Sequence, residues 1–351
     1  MLLTDTKFKT AKSKSDNLVD DEEIDTVFTK NFTAQVPFEF KNGALNYNMN
    51  WYYGPSDYTI LNNYEKNLDE IMPLGWGIFG WINRYIFIPV FGFISALGIG
   101  YGIAIVLFTI LVRIVMSPVT YKSYLSQAKM KVLRPEITEL NEKFKDNPMK
   151  KQQETMKLYS KAGVNPMAGC LPALMQMPIF YALFQFFPSM FDLRQKSFLW
   201  ADDLSSYDSI YQLPFHIPFY GSHVSLFPIL ASIAIFFYMK MTTGDQAMST
   251  PPQEGMPDMG KIMKIMIYIS PVMMLFFFNN YASGLSLYYF ISNLITIGIM
   301  LVIKNYIVKE DKIHAQIQEN KTKEKKESKF QKKMREMMEQ AEAQKAAQKK
   351  K

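Results

Sequence analysis

Arg113 carries the most conspicuous chemistry in this sequence. It follows Phe91–Val112, a run of 22 residues without a formal charge. A run of about 18–25 apolar residues can cross a hydrocarbon core of roughly 30 Å as a helix. A cation at the end of such a run either snorkels to the interface or faces a polar cavity, and both readings stay open. Thr109 lies four residues back, on the same helix face. Amides and hydroxyls recur in the other apolar stretches, at Gln176 and Gln185 and again at Ser283, Ser286, Asn293 and Thr296. None of these stretches holds an acid that could pair with Arg113, which argues against a carboxylate relay for protons or ions. An unpaired cation in a wet cavity would instead attract an anionic or polar segment of chain.

Nothing in the sequence resembles catalytic machinery. There is no P-loop, no HExxH, no nucleophile–histidine–acid spacing and no paired carboxylates inside an apolar stretch. Three scattered histidines (His216, His223 and His314) argue against a histidine metal centre, and the lone Cys170 excludes an internal disulfide framework. No enzyme activity, cofactor or metal is therefore expected. Gly98, Gly100 and Gly102 contain small-xxx-small spacing, which suits close helix packing or local bending. Met263, Met266, Met273 and Met274 suit core packing, or a pliable surface that receives varied apolar sequences.

The elements around these residues follow from hydropathy. A mean hydropathy of −0.06 averages very apolar blocks with very polar ends, and the blocks place the chain in the membrane class. Five spans are expected, at 91–117, 166–187, 226–241, 262–278 and 282–307, with Pro118 as the stop of the first. Residues 73–90, with Trp76, Trp81, Arg84 and Tyr85, read as an amphipathic helix at the membrane interface. Residues 119–164 read as a helical hairpin, its first arm marked by Leu133, Ile137, Leu140 and Phe144. Asp146-Asn147-Pro148 would start its second arm and Gly163 would end it.

Residues 1–72 read as the β-structured end of a larger domain. Polar loop or an incomplete strand edge is expected to about residue 35, followed by aromatic-rich strands around an Asn42-Gly43 hairpin signal. The first residues lack the apolar core of a cleavable signal. The 308–351 tail shows no continuous apolar face and reads as a solvated helix or a disordered segment. The hairpin carries 10 basic residues and the tail 14, whereas the 188–225 loop carries only Arg194 and Lys196. The positive-inside rule therefore places hairpin and tail in the cytoplasm, and the N-terminal region and 188–225 loop outside. Five spans give the same arrangement.

Three segments together resemble the YidC/Oxa1/Alb3 membrane protein insertases, in particular the Gram-negative bacterial type. They are LVRIVMSPVTYKSYLSQAKM with the following LRPEI, KAGVNPMAGCLPALMQMPIFYALF, and SGLSLYYFISNLIT. The likeness runs from about Gln35 to the end of the fifth apolar stretch. It implies an all-α polytopic inner-membrane protein, with five transmembrane helices around a hydrophilic groove, a cytoplasmic hairpin and a small N-terminal β remnant of a periplasmic domain. The family's groove arginine and its neighbouring threonine correspond to Arg113 and Thr109. Its substrate-contacting stretch corresponds to Gln176, Met177, Pro178, Ile179 and Phe180, and its groove tyrosine to Tyr289, beside Tyr288; Ser286 and Asn293 complete the expected lining. Nascent membrane proteins and the lipid bilayer are the implied partners. The Sec translocon and, through the basic tail and hairpin, the ribosome are further ones; no DNA is expected.

The additional first transmembrane helix and most of the β-domain of the Gram-negative type are not represented. A fragment, a shortened reading frame and a protein working without that module are the alternatives. A scaffold for membrane complexes is the main rival function. A small-molecule transporter would want inverted repeats and a midplane ion site, and neither is visible.

Overall fold

A chain that crosses lipid must satisfy its backbone hydrogen bonds internally, so its apolar runs become helices. The computed structural model describes residues 2–4, 12–17, 30–38, 49–64, 66–145, 148–165, 171–247, 259–307 and 310–322. These fall into two packing units, residues 1–72 and 73–351.

The first unit holds two antiparallel strand pairs. β1 (Leu2–Thr4) pairs with β4 (Met49–Trp51). β2 (Lys12–Asn17) pairs with β3 (Lys30–Gln35), with Lys12 opposite Gln35. Three of the four strands thus lie in the stretch read as loop or an incomplete strand edge, and residues 36–38 are not strand. Asn42-Gly43 lies outside the described residues. A short helix, α1 (Tyr58–Asn62), is capped by Asp57, whose side chain accepts from the Ile60 N–H.

The second unit begins with α2 (Gly77–Ile82), a π-helical turn at Asn83–Phe87 and α3 (Ile88–Ser95), which run on as one helix. There follow α4 (Tyr101–Val132), α5 (Arg134–Lys143), α6 (Pro148–Ala162) and α7 (Leu171–Ser189). A β-ribbon of β5 (Ser209–Ile217) and β6 (Gly221–Ser225) leads into α8 (Leu226–Ala247) and α9 (Met259–Asn279). The described residues end with α10 (Ser283–Val302), a π-helical turn at Ile303–Ile307, and α11 (Glu310–Thr322). Among the described residues, Gly77–Ser95, Tyr101–Val132 and Ser283–Tyr306 are long and apolar enough to cross a membrane. Leu226–Thr242 and Lys264–Asn279 form shorter apolar helices.

Three expectations need correction. The segment read as an interfacial helix over 73–90 continues to Ser95, and the helix break falls inside the expected 91–117 span. Gly98 (φ +72°) and Gly100 (φ +80°) make that break, in backbone conformations that L side chains avoid. Pro118 does not stop the helix, because α4 runs through it to Val132. A proline there removes the N–H that would bond the Ile114 carbonyl, and the Ser117 hydroxyl donates to that carbonyl instead, at 2.8 Å. Finally, the tail is helical over Glu310–Thr322 and does have an apolar face. Ile313 and Ile317, one turn apart, are buried with Leu133, Ile137, Ala162 and Val164 of the hairpin. Lys321 also pairs with Glu136 at 2.6 Å.

The core of the helical unit is aromatic. Phe108 of α4 meets the rings of Phe87, Phe91, Phe186 and Tyr288 at centroid distances of 5.3–6.3 Å, within the range of favourable ring contacts. α10 is central, packing against α4, α7 and α8. At one end the 188–225 segment is tied down. Ser283 N–H and Gly284 N–H donate to the Ser206 and Leu204 carbonyls, and the Phe198 ring lies against Gly102.

Asp208 caps α8 from 18 residues away. Its Oδ2 accepts from the Leu226 N–H (3.0 Å), the Phe227 N–H (2.8 Å) and Trp200 Nε1 (2.8 Å), while Oδ1 is buried without a partner. Burial raises the carboxyl above the ordinary Asp range, and the three donors oppose the shift without cancelling it. A folded-state pKa raised above the unfolded one gives stability at low pH that is lost as pH rises through the raised value. Asp208→Asn keeps an acceptor oxygen without the charge. In thermal unfolding of the detergent-solubilised chain, this variant should match or exceed the parent at pH 7.5, and the gap should close towards pH 4. Asp208→Ala, which strands three donors, should lose about 1–3 kcal/mol.

Candidate functional site

α4 carries Arg113 about 18 Å along the helix from Tyr101, at 1.5 Å per residue. If Tyr101 lies at one face of a roughly 30 Å core, the guanidinium starts beyond the midplane. The side chain is half-buried and donates through Nε to Ser292 Oγ of α10. Among the described residues no acid forms an ion pair with it. Its charge instead acts on the hydroxyls of Tyr288 and Tyr289 of α10 and of Tyr238 on α8.

α10 presents these groups because its polar residues recur at helical spacing. Ser286, Tyr289, Asn293 and Thr296 are three or four apart, with Tyr288 and Ser292 alongside, and all six are buried. Several of the buried polar atoms make no hydrogen bond of ordinary geometry, namely Ser286 Oγ, Tyr288 Oη, Tyr289 Oη and, across on α7, Gln176 Nε2, although Tyr288 lies beside Ser292 and Tyr289 beside Gln176. The Gln176 amide and Tyr289 hydroxyl face each other. A buried donor left unpaired costs about 1–3 kcal/mol, so these poorly satisfied groups make a polar cluster inside an otherwise apolar helix bundle.

Not every expected residue contributes in the same way. Thr109 is buried, and its hydroxyl donates to the Ile105 carbonyl of its own helix. Asn293 and Thr296 likewise donate to the Tyr289 and Ser292 carbonyls. Ser283 is at the far end, donating to the Asp203 carbonyl, and it tethers the 188–225 segment. Gln185 lies nine residues beyond Gln176 on α7, about 13 Å further along the helix.

Phe180 joins this polar cluster to an aromatic seam. Its ring meets Tyr289 at 5.6 Å and Phe184 and Phe277 at 6.4 Å. Phe184 in turn stacks on Tyr281 at 4.3 Å. Met177 is 66% exposed and points away from the cluster, and Pro178 and Ile179 are half-buried on the same helix. The seam offers an apolar flank one turn from the polar lining.

Sequence reasoning missed Ser292 and Tyr238. Ser292 was findable, since it lies three residues from Tyr289 on the face that Ser286 begins. Tyr238 gave no periodic signal; it is the sole tyrosine of an apolar helix, and only the packing of α8 on α10 makes it part of the site.

Residues 92–312 match the family described as 60Kd inner membrane protein. The chain is 47% identical over 305 residues to a protein of Parabacteroides distasonis named membrane protein insertase YidC, covering 83% of this chain and 47% of that one. Proteins of the same name from Amoebophilus asiaticus and Porphyromonas gingivalis are 44% identical over 273 residues and 40% identical over 342. They cover 78% and 92% of this chain, and 44% and 53% of theirs. The chain thus spans about half the length of the curated relatives it matches.

Proposed function

Because this chain belongs to the YidC/Oxa1 family of 60Kd inner membrane proteins, we propose that it inserts nascent integral membrane proteins into the inner membrane and assists their folding. The observation that supports this reading is Arg113, a cation without an acidic partner among the described residues, beside the buried and poorly satisfied hydroxyls of Tyr288 and Tyr289. A polar group drawn through hydrocarbon unpaired costs several kcal/mol. A lining that meets the client's polar flank part-way shortens the dry path. The client's apolar segment then leaves past Met177, Phe180 and Tyr289 into lipid. Hydrophobic partitioning drives the step, and the membrane potential adds to it for an acidic tail.

The five spans of this reading are α4, α7, α8, α9 and α10, with Gly77–Ser95 lying at the outer interface. Their lining forms a groove open to the cytoplasm, and Thr109, Gln176, Pro178, Ile179, Tyr288, Ser286 and Asn293 belong to it. Charge supports the orientation, since the hairpin holds 10 basic and 5 acidic residues and the tail 14 basic ones. Residues 1–72 would then be periplasmic, the end of a larger β-domain. The same basic surfaces suit docking to the ribosome, and the Sec translocon is a further partner.

The test is a photo-crosslinker at Phe180, in vesicles with ribosomes stalled on a short single-span client. An adduct to the client's apolar segment is expected, several-fold stronger than from a probe at Leu174 on another side of α7. Equal or absent adducts, from a membrane-integrated chain, would favour a scaffold role instead.

A further inference from the structure

The β5–β6 ribbon serves no purpose in the mechanism above, yet it is built with care. Residues 209–225 contain no Asp, Glu, Lys or Arg, and they include Tyr211, Phe215, Phe219 and Tyr220. Tyr211 is 61% exposed, Phe215 60% and Phe219 90%. An uncharged, aromatic-rich ribbon with such exposure is unusual for a surface facing only water.

Its placement says what covers it. β6 passes into α8 without a linker, Ser225 being followed by Leu226. The other end of the ribbon is also held to a helix end. The Tyr220 ring meets Phe276 of α9 at 5.3 Å, and Asn280 Nδ2 donates to the Phe219 carbonyl at 3.3 Å. Ser225 and His223 bond Asn279, the last residue of α9. α8 and α9 pack together and are antiparallel, so both anchor points lie at the same end of the pair. The ribbon therefore lies across the helix ends rather than projecting from them. Its most exposed ring, Phe219, sits next to a flank of α9 on which Phe276 and Phe277 are themselves exposed.

The geometry points to a membrane-interface function for this ribbon: Phe219, with Tyr211 and Phe215, dips into the headgroup–acyl boundary of the outer leaflet and fixes the depth of the α8–α9 pair. Aromatic rings are favoured at that level, and an apolar face there buries by about 5–10 Å. The bilayer surface is the occupant because the exposed rings continue the apolar flank of helices that enter it. The inference rests on α8 and α9 being membrane spans.

A Cys170→Ser background permits a single fluorescent label at Phe219→Cys, at Phe215→Cys, or at the control Ser222→Cys. All three positions are exposed, so labelling removes little packing. The 351-residue chain is placed in phosphatidylcholine–phosphatidylglycerol vesicles, and resistance to alkaline extraction is scored first. For the first two sites, quenching by aqueous iodide should be at least about threefold weaker than at Ser222→Cys, and quenching by a lipid nitroxide near the top of the acyl chain strong. Iodide access equal at all three sites would overturn the inference. So would protection without nitroxide quenching but with cross-links between two copies, which would make the ribbon a self-association surface. A chain removed by alkaline extraction would overturn the span reading and the inference with it.

Discussion

Arg113→Glu should slow insertion of a client with an acidic translocated tail by about two orders of magnitude. Placing an aspartate at the centre of a membrane helix costs about 2.5–3.5 kcal/mol on insertion scales, and each 1.36 kcal/mol is a factor of ten in rate. Arg113 has no acidic partner among the described residues, and its one hydrogen bond is to the neutral Ser292 hydroxyl. On the proposed insertion reading its charge compensates a passing carboxylate, and a glutamate would repel that carboxylate. Arg113→Lys keeps the charge but loses the Nε bond that orients it, and should stay within about tenfold of the parent. A client with an uncharged tail should be affected far less by either change. Initial insertion rates in proteoliposomes, normalised to integrated protein, give the comparison. A full rate for Arg113→Glu on the acidic-tailed client would sink the charge mechanism.

Asn279→Ala should be among the most damaging single changes to stability. Asn279 is fully buried at the end of α9. Its Nδ2 donates to the Tyr220 and His223 carbonyls at 2.8 and 2.9 Å, and its Oδ1 accepts from the Ser225 N–H at 3.0 Å. Truncation strands three backbone groups away from water, at about 1–3 kcal/mol each and less than additively. A loss of about 3–5 kcal/mol follows, or about 4–7 °C in Tm for a chain of this size. Asn280, its neighbour, is exposed and makes a single 3.3 Å bond to the Phe219 carbonyl. Asn280→Ala should cost under about 1 kcal/mol. Thermal unfolding of both variants in detergent separates the cases, and equal shifts would refute the account.

Much of this protein is legible because hydropathy is local and additive. Wherever the chain is described, the apolar runs are helical as α7, α8, α9 and α10, with α8 running six residues beyond the run that marked it. Gly163, with φ +67°, ends α6 where a glycine was expected to end it. The identity of Arg113 as the outstanding charge also came from sequence, as did the polar face of α10. Other features were hidden because they depend on a second group that composition cannot place. Pro118 was read as a stop, and what permits the helix to continue is a hydroxyl one residue away that takes over a single carbonyl.

The sequence by itself determined which segments avoid water, where charge is concentrated and which residues could line a polar site. Only the tertiary structure decided that Arg113 meets Ser292, 179 residues away, that Tyr238 lies within its field, and that Asn279 ties down a ribbon begun 70 residues earlier. The physical reason is the range of the forces involved. Burial of apolar surface is non-directional and can be summed along a chain, whereas a hydrogen bond exists only over about 3 Å and a narrow angle. Which donors find which acceptors is therefore settled by which helices become neighbours.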